Sequence, residues 1–126
     1  MTNLATQPAA DTAASAFDAE QIEMLRSLRG GALLPQLLRT YREEGAKQIA
    51  ALKAAAEKAD HETLRGVAHS LKSGSYSVGA NGVGDVCKAL ETAARMGTLE
   101  DSGRALVAQV ASTYARLLPE LEQLIA

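Results

Sequence analysis

The chain has 126 residues, a formal net charge of −2 and 22% charged residues, the size of one compact domain that buries a core without disulfides or metal. Lys and Arg are scattered, with no basic stripe interleaved with aromatics, which argues against a nucleic-acid partner. The single Cys87 excludes an internal disulfide and a thiolate metal site of its own.

Ala and Leu dominate, aromatics are 3% and only three prolines interrupt the chain, so the composition favours helix over strand. Residues 1–16 are small and polar with no packing pattern, and read as a flexible tail ahead of a domain over residues 17–126. That tail holds no Lys, Arg or sustained apolar run, unlike a signal peptide. No stretch approaches the roughly 18 apolar residues of a membrane span. A cytoplasmic location with no membrane partner is expected.

Asp18 is expected to cap a short first helix, with Gln21 completing a capping box. Ile22, Leu25 and Leu28 follow at helical spacing, and Gly30-Gly31 stops the run. A long second helix begins after that pair, with Pro35 in its first turn. It gathers Leu34, Leu37, Leu38, Tyr41, Gln48, Leu52, Ala55 and Ala56 on one side, away from Arg39, Arg42, Glu43 and Lys53. It ends near Lys58-Ala59, and Asp60 caps a third helix with the inward stripe Leu64, Val67, Ala68, Leu71 and Ser75. Gly79 serves the next turn. A fourth helix carries Val83, Val86, Cys87, Leu90 and Ala94 and stops at Gly97. A fifth runs from about Leu99 to the end on a seam of Leu106, Val110, Thr113, Leu117, Leu121 and Leu124, with Pro119 predicted to kink or split it. The pattern predicts an all-α fold, an antiparallel up-down four-helix bundle with the short first helix as a lid.

On the third helix, an advance of about 100° per residue turns His69 roughly 150° away from the apolar stripe, toward solvent. Its helical neighbours are Arg65, Lys72, Ser73 and Tyr76, and Gly66 and Ser73 flank it with almost no bulk. A neutral imidazole nitrogen is a nucleophile near neutral pH. Lys72, with Arg65, suits the neutralisation of an incoming phosphoryl group, and Ser73 can donate a hydrogen bond to it. An ordinary surface histidine with accidental basic neighbours would give the same spacing. His61 and His69 stand eight residues apart, about 12 Å along a helix, too far to share an ion. No acidic residue is placed in sequence to orient His69 as in a Ser–His–Asp arrangement. Cys87 lies on the apolar stripe of its helix and reads as a small core residue. Glu91 reads as a helix-end or bundle polar contact without chemistry.

The run Ala68-His69-x-Leu71-Lys72, the small residues ending in Ser75, Gly79-Ala80 and the later Cys87-x-x-Leu90-Glu91 resemble the histidine-containing phosphotransfer (HPt) domain. A weaker likeness extends to the Leu-Arg-x-Leu-x-Gly-Gly segment from Leu25 to Gly31, so the resemblance covers about residues 17–126. It implies a phosphorelay carrier in which His69 receives a phosphoryl group from the aspartate of one receiver domain and passes it to another. Lys72 would take the phosphoryl-stabilising role. Ser73 stands where the family often has glycine and Gly74 where it often has serine, so both belong to the implied phosphoryl environment with Arg65. Val83 replaces the more usual leucine, a core swap of little consequence. Leu33, Gly66 and Tyr76 are candidate docking contacts. The resemblance implies no cofactor on this chain and magnesium held by the receiver.

Expected partners are the receiver domains of a hybrid sensor kinase and a response regulator, with the chain itself a monomer and not an enzyme. No Gly-rich nucleotide loop is present, so this chain alone should not use ATP. The initiating Met1 and the tail favour a free-standing carrier over the end of a larger kinase. The alternatives are the phosphorylated domain of a hybrid or chemotaxis-type histidine kinase, and a non-catalytic helical adaptor.

Overall fold

A computed structural model describes residues 15–97 and 100–126. Residues 1–14 of the tail expected over residues 1–16, and Leu99 at the expected start of the last helix, lie outside the described residues. The elements are α1 (Ala19–Arg26), a 3₁₀ turn (Leu28–Gly31), α2 (Leu33–Glu57), α3 (His61–Ser77), α4 (Asn81–Met96) and α5 (Glu100–Ile125). Among the described residues there is no strand.

The four long helices pack in a ring, α2 on α3, α3 on α4, α4 on α5 and α5 back on α2. Short connections make chain neighbours antiparallel, the up-down arrangement expected for a bundle. The core runs down the axis through Leu34, Leu38, Leu52, Leu64, Leu71, Leu90, Leu117 and Leu121, all nearly devoid of solvent contact. Such burial contributes about 2 kcal/mol per large side chain before chain entropy is subtracted.

Helix boundaries follow local chemistry. The Asp60 carboxylate accepts from the Thr63 backbone N–H at 3.2 Å and caps α3. Gly97 ends α4 in the left-handed conformation, with φ +71°. Gly79, with φ +79°, turns α3 into α4. Its carbonyl accepts from the Asp18 N–H at 2.8 Å, and the Gln21 amide donates to the Ser77 carbonyl at 2.9 Å. The capping box expected at α1 is therefore not formed. Asp18 caps Glu20 N–H instead, and the partners of a local box bind the α3–α4 turn, which docks α1 on that end of the bundle.

Four details depart from the sequence pattern. On α2, Ile49 is buried and Gln48 only half-buried, so Ile49 rather than Gln48 fills the inward face at that turn. On α5, Val107 and Tyr114 are buried while Leu106, Thr113 and Leu124 are half-buried. Tyr114 is accommodated because α2 offers Gly45, where an added Cβ would lie 2.6 Å from the ring. Its hydroxyl donates to the Arg42 carbonyl at 2.6 Å. Pro119 does not split α5, which runs unbroken from Glu100 to Ile125. Pro119 is exposed, so the carbonyl it leaves unbonded one turn earlier faces water rather than the core. Leu28 belongs to the 3₁₀ turn, not to α1, and is 41% exposed.

Candidate functional site

His69 sits mid-way along α3, in line with Arg65, Lys72 and Tyr76 on the outer surface. Its side chain is 60% exposed, as the helical geometry predicts. Behind it, Ala68, Leu71 and Ser75 lock α3 into the core. The Ser75 hydroxyl shares a buried 2.7 Å hydrogen bond with Tyr41 of α2, which fixes the rotation of α3 about its axis.

The absence of an orienting acid, expected from sequence, is corrected by the fold. The Glu91 carboxylate on α4 lies 3.0 Å from His69 Nδ1 through Oε2 and 2.8 Å from Lys72 Nζ through Oε1. Its side chain is only 10% exposed. The Lys72 hydrogen bond, reinforced by His69 and opposed by burial, holds this carboxyl below its ordinary range. Glu91 is thus ionised at neutral pH and can only accept. His69 Nδ1 must therefore carry the hydrogen, which leaves the Nε2 lone pair as the free nucleophile of the neutral ring. Glu91 is a bundle polar contact, as read from sequence, and the side chains it contacts are His69 and Lys72. The signal was present: at 100° per residue Glu91 falls about 40° from Cys87, inside the buried arc of α4.

Lys72 reaches the site half-buried and tied to Glu91 rather than free in solvent. Arg65 is exposed one turn before His69 and makes no ion pair among the described residues. The Ser73 side chain is exposed, with its hydroxyl unpartnered among the described residues. Gly66 has open space around it and lines a shallow groove between α2 and α3 with Lys47, Gln48 and Ala51. Gly74 is corrected: it faces the Tyr41 ring, on the α2 side of the helix, well around from His69. Leu33 is half-buried and packs on the core at the start of α2. Tyr76 is 37% exposed and lies across Gly84 of α4, its hydroxyl donating to Asp85 at 2.7 Å.

Cys87, fully buried next to this site, has its thiol pushed up to about 12, chiefly by burial. It stays protonated and inert at neutral pH. Among the described residues no three His, Cys, Asp or Glu side chains converge as metal ligands, and no helix is long and apolar enough to cross a membrane.

The family model of the Hpt domain matches residues 36–126. The chain belongs to the Hpt domain family. It is similar to the crystal structure of histidine-containing phosphotransfer protein B (HptB) from Pseudomonas aeruginosa PAO1, with 31% identity and a TM-score of 0.82 over 88% of this chain and 95% of that one. No curated protein matches it in sequence. The chain is a histidine phosphotransfer protein of a phosphorelay. Hpt proteins are phosphotransfer carriers that interact with receiver domains.

Proposed function

We propose that His69 is the phosphoryl carrier of this Hpt protein and that it reacts through Nε2. The observation that carries this reading is the 3.0 Å Nδ1–Glu91 contact on a ring whose other face is open to solvent. The Nε2 lone pair attacks the phosphorus of an aspartyl phosphate. A P–N bond forms, and the P–O bond to the aspartate breaks with its electron pair leaving on the carboxylate. Nδ1 keeps its hydrogen, so the phosphorylated ring is cationic, and the Glu91 carboxylate balances that charge. The reverse attack by a second aspartate returns the ring to its starting tautomer.

Lys72 stands within reach of both Glu91 and the space beside the ring, and donates to the incoming phosphoryl oxygens. Ser73 and Arg65 supply a further hydroxyl and charge. The partners are receiver domains of a hybrid kinase and of a response regulator, which hold the magnesium ion. The chain works in the cytoplasm as a monomer and needs neither a nucleotide nor a cofactor of its own. Docking uses the face around His69 and Tyr76, flanked by α1 and its exposed Met24. The test is transfer from a phosphorylated receiver domain to the wild type and to His69→Gln. Acid-labile label on the wild type and none on the variant is expected, and equal labelling overturns the assignment.

A further inference from the structure

The two antiparallel helices that build the site also set the charge around it. Three contacts fix their register: Tyr76 with Asp85, and both His69 and Lys72 with Glu91. In that register Lys72 of α3 is level with Lys88 of α4, and Arg65 of α3 is level with Arg95 of α4. Arg65 and Lys72 are seven residues apart, as are Lys88 and Arg95, which places each pair on one helical face at about 10 Å spacing. The helix axes are themselves about 8–10 Å apart. Four cations therefore frame a square of roughly 10 Å, with His69 and Glu91 at its centre.

Helical position also puts all four on the same side of the bundle. On α4, Lys88 and Arg95 lie one turn either side of Glu91 and further from the core than it does. On α3, Arg65 and Lys72 lie between His69 and α4. Arg65, Lys88 and Arg95 are exposed and make no ion pair among the described residues. Of the acids on this face, Glu91 is consumed by Lys72 and His69, and Asp85 accepts from Tyr76 at the far edge. Glu62 stands one turn beyond Arg65, outside the square. A chain with a net charge of −2 thus concentrates unpaired positive charge around one histidine.

We infer that Arg65, Lys88 and Arg95 form an electrostatic docking frame for the carboxylate-rich, phosphoacceptor face of a receiver domain. The inference rests on His69 being the phosphoryl carrier and adds how its protein partner is recognised. A receiver that holds a divalent cation beside its aspartate must present several carboxylates at the point of transfer. Three exposed cations that no ion pair neutralises complement that face and repel a basic one. Exposed charges of this kind act mainly on encounter, raising association rates in a salt-dependent way.

The experiment compares the wild type with Lys88→Glu/Arg95→Glu, two residues outside the phosphoryl machinery. Phosphoramidate, a small phosphodonor, is first used to label both proteins. Equal labelling of both, absent in His69→Gln, shows that the carrier is intact and keeps its failure distinct from failure of the frame. Transfer is then followed from whichever phosphorylated receiver domain in a panel reacts fastest with the wild type. The expected result is a second-order rate at least about 10-fold lower for the double variant at low salt. The wild-type rate should fall with ionic strength until the two converge. Equal rates for both proteins at every salt concentration would overturn the inference, as would a wild-type rate indifferent to salt.

Discussion

Oε2 of Glu91 lies 3.0 Å from Nδ1 of His69, on another helix and 22 residues further along the chain. The same carboxylate holds Lys72 at 2.8 Å through its other oxygen. One buried anion therefore holds both the His69 ring and the Lys72 ammonium. Glu91→Gln removes the charge and allows the amide to donate to Nδ1 instead of accepting from it. Phosphoryl acceptance by His69 should fall about 10- to 100-fold, by analogy with the cost of removing the partner that orients a metal-ligating imidazole. Nitrogen NMR of His69 should at the same time change from one tautomer to a mixture, which a merely structural role for Glu91 would not produce.

The same pair predicts an acid-side loss of stability. The Glu91 carboxyl is held below its ordinary value of 4.5, first by Lys72 and then by His69. The unfolded chain therefore binds this proton more readily than the folded one as the pH falls. The contribution of Glu91 to stability is fully present above the unfolded value and is lost as the pH drops through the folded one. Denaturant titrations from pH 6 to pH 3 should show a shallower fall for Glu91→Gln than for the wild type. An identical slope would mean that the ion pair is not formed in solution.

Tyr76 and Gly84 give a packing test beside the site. An added Cβ at Gly84 would lie 2.5 Å from the Tyr76 ring, so the ring must leave its place and its bond to Asp85. Gly84→Ala should cost about 1–3 kcal/mol. In a Tyr76→Ala background the same change should cost much less, and the difference in a double-mutant cycle measures the contact. Additive effects would contradict the packing.

The Tyr41–Ser75 hydrogen bond should behave as a buried pair. Ser75→Ala leaves the Tyr41 hydroxyl without its partner and should destabilise by about 1–3 kcal/mol. Adding Tyr41→Phe removes the stranded hydroxyl and should recover part of that loss. A double variant as unstable as the sum of the two singles would show that the bond contributes nothing.

The helical layout was legible in the sequence because apolar spacing, the Asp60 cap and the glycine stops all act locally. The exposure of His69 followed from the same periodicity. What it left hidden came from tertiary contacts. Glu91 became a partner of His69 only when α4 was laid against α3. Gly45 and Gly84 acquired a purpose only as seats for Tyr114 and Tyr76, since a glycine inside a helix otherwise reads as a mild defect. The expected α1 capping box gave way to bonds with the α3–α4 turn, which no local rule contains. Gly74 was placed beside the phosphoryl group by a family spacing, whereas its angular position on α3 turns it toward Tyr41.

Phosphate is proposed to pass through Nε2 of His69 while Glu91 holds Nδ1. The most direct test is phosphorus–nitrogen NMR of histidine-labelled protein after transfer from a phosphorylated receiver domain. A single phosphohistidine at His69 is expected, with phosphorus coupled to Nε2 and the hydrogen retained on Nδ1. Phosphate on Nδ1, or on His61 or any other residue, would contradict it.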